Sequence, residues 1–175
     1  MSRVFGWLLD REQRVFRYVN RRLRRTWLDR AFGIVTHLGG ATVSIAGTLG
    51  FALFAGSNWQ RVGWIALATL AISHIPVAVL KRTYRRLRPY QIWPDTFTGP
   101  NPLKDHSFPS GHTTAIFSAL VPYVLEQPLL APLLLPIAGI VGLSRIYLGL
   151  HYPSDVLAGA LLGSVTASCL YAWIP

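Results

Sequence analysis

Three short groups of residues have the types and spacings that phosphate chemistry requires. They read Lys81-x6-Arg88-Pro89, Pro109-Ser110-Gly111-His112 and Ser144-Arg145-x5-His151-x3-Asp155. Each group places a cation or a histidine at the edge of an apolar segment. Together they supply three permanent cations, two histidines and a carboxylate. Such groups can bind a phosphate and transfer protons while one of its ester bonds breaks.

The first group supplies two cations. Lys81 and Arg88 are seven residues apart, which is two turns if the helix continues through both. Both side chains would then lie on one face and converge on a single anion, and Pro89 would end the helix. The remaining basic residues of this segment are interpreted as charges that flank a membrane span: Arg82, Arg85 and Arg86.

The second group predicts the start of a helix, because Pro109 and Ser110 are typical helix-start residues. A helix N-terminus offers free backbone N–H groups and a partial positive charge to an anion. Gly111 lets the backbone approach that anion closely. In the third group, Arg145 offers a planar fork that suits a two-point contact with phosphate.

The order and spacing of the groups resemble the type 2 phosphatidic acid phosphatase superfamily, whose signature motifs read K-x6-RP, PSGH and SR-x5-H-x3-D. Every motif position matches, between Lys81 and Asp155. The resemblance implies that His151 is the nucleophile and forms a phosphohistidine, and that His112 protonates the leaving alkoxide. Asp155 would accept a hydrogen bond from the other ring nitrogen of His151. The phosphate ligands would be Lys81, Arg88, Ser110, Gly111 and Arg145.

No cofactor and no metal are expected. Three cations and the backbone dipoles can stabilise the charge that metal ions usually stabilise in phosphoryl transfer. The sequence also has no carboxylate cluster that could hold Mg²⁺. The superfamily includes soluble haloperoxidases that bind vanadate in the same pocket, but those are larger, and the apolar segments of this chain argue against that activity.

Composition and hydropathy predict an all-α, polytopic membrane helix bundle. Hydrophobic residues make up 51% of the chain, and 17 Lys and Arg outnumber 7 Asp and Glu. About twenty apolar residues cross a bilayer, so we expect about five transmembrane helices plus an N-terminal amphipathic interfacial helix. The expected spans are 31–56, 62–80, 113–125, 129–143 with an extension to Tyr147, and 156–174. Residues 1–175 would form one domain, with a basic arm at 1–30 and a catalytic core at 31–175.

The arm holds nine arginines and should lie along the membrane surface rather than cross it. Its apolar residues recur at roughly helical spacing: Phe5, Leu8, Leu9, Val15, Phe16, Val19 and Leu23. We expect these side chains to face the bilayer and the arginines to contact anionic headgroups. No signal peptide is expected, because Asp10, Arg11 and Glu12 stand where its apolar region should be. The apolar spans argue against nucleic acid as a partner.

The sequence therefore predicts an integral-membrane enzyme that hydrolyses a phosphate ester of a membrane lipid, with phosphatidylglycerophosphate and phosphatidate as leading substrates. The alternatives are an undecaprenyl diphosphate phosphatase and a non-enzymatic lipid-binding protein. With five spans, 16 of the 17 basic residues share the active-site face, which the positive-inside rule places in the cytoplasm. Many bacterial relatives in the superfamily act on the outer face instead, but those often carry an additional apolar first span, which the arginine-rich arm replaces here. We therefore expect the active site on the cytoplasmic face. The sequence does not predict an oligomeric state.

Overall fold

The computed structural model describes residues 3–99 and 102–174, with the side chains of residues 3–5 and 57 left out. Every regular element in these ranges is helical, which confirms the all-α prediction. The elements are α1 (Arg3–Arg17), a π-helical turn (Tyr18–Arg22), α2 (Thr26–Val35), a 3₁₀ turn (Thr36–Gly39), α3 (Ala41–Phe54), α4 (Ser57–Thr83), α5 (Pro89–Ile92), α6 (Gly111–Glu126), a 3₁₀ turn (Pro128–Leu130), α7 (Ala131–Tyr147) and α8 (Pro153–Trp173).

Three helical segments in the described part are long and apolar enough to cross a membrane: Asn58–Thr83, Pro128–Tyr147 and Pro153–Trp173. A fourth candidate is a pair, Thr26–Gly39 and Ala41–Phe54, which is bent by 52°. The sequence predicted one unbroken span at 31–56, but Gly40 adopts an extended conformation and separates the two helices. Five spans remain a prediction, because the remaining candidate helix, α6, has only 16 residues.

Helix α6 lies in the middle of the bundle and packs against α4 and α8. Small residues allow this close contact, as is common between helices in membranes. A Cβ atom on Gly159 or Gly163 of α8 would lie 2.6–2.7 Å from a backbone oxygen of Ser110 or Thr114. On the α4 side, the hydroxyls of Ser73 and Ser118 are 2.8 Å apart. The bundle therefore holds the start of α6 firmly.

The outward faces of the long helices are apolar. Ile75 of α4 and Leu157 and Leu161 of α8 have exposed fractions of 62–64%. Contiguous exposed apolar surface of this kind is unusual in a water-soluble protein and typical of one that contacts lipid.

The N-terminal arm is docked on the bundle. Phe16 and Val19 are buried in a cluster with residues of the α7–α8 connection. The buried Asn20 side chain donates to the backbone oxygens of Phe97 (2.9 Å) and Tyr147 (2.7 Å). The prediction that Phe16 and Val19 face the bilayer is therefore wrong, because the core offers them a better apolar environment. Trp7, Leu8 and Val15 remain about half exposed.

The contacts of Arg61 show which helix ends lie together at each end of the bundle. At one end, Arg61 near the start of α4 pairs with Glu126 of α6 (3.2 Å) and donates to Ile174 O after α8 (2.8 Å). The end of α4, the starts of α6 and α8, and the end of α7 consequently lie at the other end. That second end carries all three sequence motifs.

Candidate active site

The motif residues sit where four helices meet. Lys81 is in the last turn of α4, Ser110 is the N-cap residue of α6, Arg145 is in the last turn of α7, and Asp155 is in the first turn of α8. The amide of Ser110 donates to the backbone oxygen of Asp155 (3.0 Å), which joins the starts of α6 and α8. The fold thus brings the three distant groups together at one end.

Arg88 occupies the centre of this cluster and is completely buried. Its Nε donates to Asp105 O (2.7 Å), and its Nη1 donates to Leu150 O (2.7 Å) and to Nε2 of His151 (3.1 Å). Its Nη2 donates to a carboxylate oxygen of Asp105 (2.7 Å) and to His106 O (3.3 Å). One guanidinium group therefore ties the loop before α6 to the loop before α8.

Asp105 bridges the two cations of the first motif. Its carboxylate pairs with Nζ of Lys81 through one oxygen and with Arg88 through the other. Burial would raise the pKa of Asp105, but the hydrogen bond with Lys81 and the charge of Arg88 lower it to about 2. Lys81 and Arg88 do converge on one anion, as predicted, and in this structure the anion is a carboxylate of the protein.

The route by which they converge differs from the prediction. Helix α4 ends at Thr83, so the predicted helix through Arg88 is wrong. Arg88 is instead the N-cap residue of α5, and Pro89 begins that short helix rather than ending a long one. The chain turns back after Tyr84, and this turn brings Arg88 next to Lys81.

His151 lies in the connection between α7 and α8 and is almost fully buried. Gly149, with a φ of 70°, makes the turn possible, and the amides of Leu150 and His151 donate to Arg145 O (3.0 and 3.2 Å). Arginine only donates hydrogen bonds, so its contact with Nε2 assigns the proton of the neutral ring to Nδ1. Nδ1 faces Asp155 Oδ2 at 3.5 Å.

The 3.5 Å separation is longer than a good hydrogen bond, and Nδ1 has no hydrogen-bond partner within the described residues. Catalytic hydrogen bonds are often long without substrate and shorten when it binds. Burial lowers the pKa of His151 to about 3, with Asp155 opposing and Arg88 and Arg145 assisting the shift. The imidazole is therefore neutral at physiological pH, which the predicted nucleophile role requires.

The start of α6 offers backbone N–H groups at the same end of the bundle. The Ser110 side chain accepts from the hydroxyl of Thr113 (2.9 Å), so its own hydroxyl proton stays available for donation. Gly111 and His112 line a largely apolar cavity of about 440 Å³ together with Gly39, Leu70 and His74. This cavity extends from the motif end of the bundle into the space between α3, α4 and α6.

Arg145 is buried in the last turn of α7, and its Nη1 donates to the hydroxyl of Thr36 (2.6 Å). Its Nε has no hydrogen-bond partner in the described ranges. Burying an unpaired charged donor is costly, so this guanidinium is suited to an anionic ligand.

Sequence reasoning missed several residues of the site. Asp105, Ser107 and Glu12 belong to no motif, and Arg86 was interpreted as a flanking charge. Arg86 in fact pairs with Asp155 (2.7 Å) and Glu12 (2.6 Å), and Ser107 donates to Asp155. No pattern in the sequence signals these long-range partners. Residues 3–99 and 102–174 contain no group of three or more His, Cys, Asp or Glu placed to hold a metal.

An all-helical bundle with apolar outward faces and a cluster of cations beside His151 at one end defines a class of polytopic membrane protein. The family model of the PAP2 superfamily matches residues 62–175. The chain belongs to this superfamily and is a multi-pass membrane protein.

Relatives with assigned names agree with this membership. The chain is 39% identical over 107 residues to an undecaprenyl-diphosphatase of Sulfolobus acidocaldarius, covering 60% of this chain and 52% of that protein. It is 32% identical over 155 residues to phosphatidylglycerophosphatase B of Bacillus subtilis, covering 81% and 72%. The chain spans only about half of the length of several other curated relatives.

A solved structure shares the fold. The crystal structure of Aquifex aeolicus LpxE superposes with a TM-score of 0.82 and 26% identity, covering 91% of this chain and 94% of that one.

Proposed function

We propose that this protein hydrolyses a phosphate ester of a membrane lipid through a phosphohistidine on His151. The observation that carries the proposal is the buried Arg88, which contacts both the nucleophilic nitrogen of His151 and an anion shared with Lys81. A phosphate that replaced the Asp105 carboxylate would be held by the same two cations next to that nitrogen. The names of the relatives support a lipid phosphate as the substrate.

In this proposal the phosphate contacts Lys81, Arg88 and Arg145 and the backbone N–H groups at the start of α6. Ser110 donates its free hydroxyl proton, and Gly111 leaves room for the closest oxygen. When Arg88 turns to the phosphate, it releases Nε2 of His151. The lone pair of Nε2 is then free to attack.

The reaction has two steps. Nε2 of His151 attacks phosphorus while the bond to the lipid oxygen breaks, and His112 gives that oxygen a proton. Asp155 accepts a hydrogen bond from the Nδ1–H group and stabilises the positive charge that the ring acquires. Water then attacks phosphorus with His112 as the base, the bond between phosphorus and Nε2 of His151 breaks, and phosphate is released. Every step uses side chains and backbone dipoles of this chain, so no metal or cofactor is required.

The cavity beside His112 gives the lipid a path to the site. Its lining is apolar, and it lies among membrane helices. A lipid tail could remain between α3 and α4 while the headgroup reaches the cations. A shorter, water-soluble phosphate ester would gain nothing from this cavity.

We further propose a single domain over residues 1–175, with the active site on the cytoplasmic face. The arm, the 81–111 segment and the 144–155 segment meet at one end of the bundle and carry 16 of the 17 basic residues. The positive-inside rule assigns this end to the cytoplasm. The exposed arginines of the arm would contact anionic lipid there.

The test is phosphate release from a panel of lipids by the purified protein in detergent. Phosphatidylglycerophosphate and phosphatidate should release phosphate, and His151→Ala should not. Release from undecaprenyl diphosphate alone would favour the alternative substrate that one relative suggests. Binding without release from any lipid would favour a non-enzymatic lipid-binding protein and refute the proposal.

Sidedness has its own test. A cysteine replaces Thr98, in the loop at the motif end, and Cys169 is removed. In intact cells this cysteine should resist an impermeant maleimide and react only after permeabilisation. Rapid labelling of intact cells would place the site outside and favour undecaprenyl diphosphate.

A further inference from the structure

The basic arm contributes a carboxylate to the surroundings of the active site. Glu12 of α1 accepts a hydrogen bond from Nη2 of Arg86 (2.6 Å) and another from the amide of Ser154 (3.0 Å). It also accepts from the Ser154 hydroxyl. The Glu12 and Arg86 side chains are only 12% and 18% exposed. Ser154 precedes Asp155, so the arm contacts the first turn of α8 directly.

Arg86 connects Glu12 to Asp155. Its Nη1 donates to Oδ1 of Asp155 (2.7 Å) and to the Ser154 hydroxyl (2.7 Å). Its guanidinium carbon lies 3.9 Å from the centre of the Tyr152 ring. With two carboxylates and an aromatic face around it, Arg86 is held in one orientation and is not placed to bind phosphate.

The two oxygens of Asp155 have separate partners. Oδ1 receives the Arg86 hydrogen bond, whereas Oδ2 accepts from the Ser107 hydroxyl and the Tyr152 amide (2.9 Å) and faces His151 Nδ1. The rotation of the carboxylate, and hence the direction of Oδ2, depends on what holds Oδ1. A small rotation changes a His151 contact that is already 3.5 Å long.

We propose that Glu12 and Arg86 are positioning residues that orient Asp155 toward His151, so that the N-terminal arm is a working part of the active site. Glu12 fixes Arg86, Arg86 fixes Oδ1, and Oδ2 is thereby directed at Nδ1. This inference rests on the proposed roles of His151 and Asp155. It differs from the membrane-surface role of the arm, because it assigns the arm a task inside the catalytic machinery.

The chain offers a matched control for the test. Asp10 lies on the same helix and pairs with Arg14, but both side chains are about two-thirds exposed. Asp10→Asn and Glu12→Gln therefore remove the same charge from the same arm. We expect Glu12→Gln to lower kcat about tenfold with KM changed by less than about threefold, the lower end of the range found when a partner that orients a metal-bound histidine is lost. Asp10→Asn should stay within about twofold of wild type.

A second comparison separates positioning from simple stabilisation. In an Asp155→Asn background, measured with p-nitrophenyl phosphate to keep turnover detectable, Glu12→Gln should cause no further loss of kcat. A contact that only stabilises the fold would produce the same factor in both backgrounds. That result, or equal kcat for Glu12→Gln and Asp10→Asn, would overturn the proposal.

A readout that needs no turnover keeps this inference separate from the proposed function. In ¹⁵N-histidine NMR, the His151 signal, assigned by its loss in His151→Gln, should report a neutral ring protonated at Nδ1. Glu12→Gln should keep this tautomer, because Arg88 still donates to Nε2, but it should move the Nδ1–H proton resonance as Oδ2 of Asp155 turns away, and Asp10→Asn should match wild type. An Nδ1–H resonance in Glu12→Gln equal to that of wild type would refute the positioning role. Absence of phosphate release by wild-type protein with the expected NMR result would refute only the proposed function.

Discussion

The substitution Arg88→Lys keeps the positive charge at the centre of the site but removes the planar, forked guanidinium group. The guanidinium of Arg88 donates from Nε to Asp105 O and from its two terminal nitrogens to Leu150 O and His106 O. A lysine ammonium is a compact group whose nitrogen lies near the position of the arginine Cζ, one bond short of the terminal nitrogens. It can therefore stay close to Asp105 but cannot also reach both remaining carbonyls.

The expected loss follows from those two contacts. A buried carbonyl without a partner costs about 1–3 kcal/mol, which applies fully to Leu150 O and only partly to His106 O, whose contact is 3.3 Å and partly exposed. We expect the free energy of unfolding to fall by about 2–4 kcal/mol. For a chain of this length the melting temperature should fall by about 5–15 °C. Loss of the two-point phosphate contact should lower kcat/KM about 100-fold or more.

The assay is thermal unfolding in detergent, followed by tryptophan fluorescence, beside phosphate release. Lys81→Ala is the control, because Lys81 pairs with the half-exposed Asp105 and an exposed ion pair contributes at most about 1 kcal/mol. This control should lose activity while its melting temperature falls by less than about 3 °C. Equal melting temperatures for the two variants would refute the idea that Arg88 ties the loops together.

Three further outcomes are expected. Asp105→Asn should strengthen inhibition by vanadate at least about threefold at every pH from 5 to 8. The pKa of about 2 keeps the Asp105 carboxylate ionised over this range, so that it competes with vanadate for Lys81 and Arg88. Unchanged inhibition would argue against this competition. Between pH 7 and pH 5 the wild-type protein should lose up to about 2 kcal/mol more stability than His151→Asn. The reason is that the folded histidine stays neutral, with a pKa of about 3, while the unfolded chain takes up a proton near pH 6.5. Equal pH dependence of the two proteins would contradict a buried neutral ring. Phosphate release should persist in EDTA, and complete loss restored by Mg²⁺ would contradict a metal-free reaction.

The sequence predicted the family and the fold class well, because both depend on local signals. Motif spacing and long apolar segments are visible without any knowledge of packing. The structure brings Lys81 and Arg88 onto one anion and Nδ1 of His151 within 3.5 Å of Asp155. The motifs alone had indicated that these residues would lie close together.

The failures concern contacts between distant segments. The turn after α4 could not be predicted, because a run of basic residues suits a helix end and a loop equally well. Glu12 and Asp105 reach the site only through folding, across 74 and 24 residues respectively. Phe16 and Val19 have the same apolar pattern whether they face lipid or protein. Only the packed bundle decides between those environments.

The most direct test of the phosphohistidine mechanism is a rapid-quench experiment with ³²P-labelled lipid phosphate, stopped in alkali to preserve phosphohistidine. Wild-type protein should carry label on His151 within the first turnover, and His112→Ala should accumulate more label from a substrate with a good leaving group. His151→Ala should carry none and should release no phosphate. Label on another residue, or near wild-type phosphate release by His151→Ala, would contradict the assignment of His151 as the nucleophile.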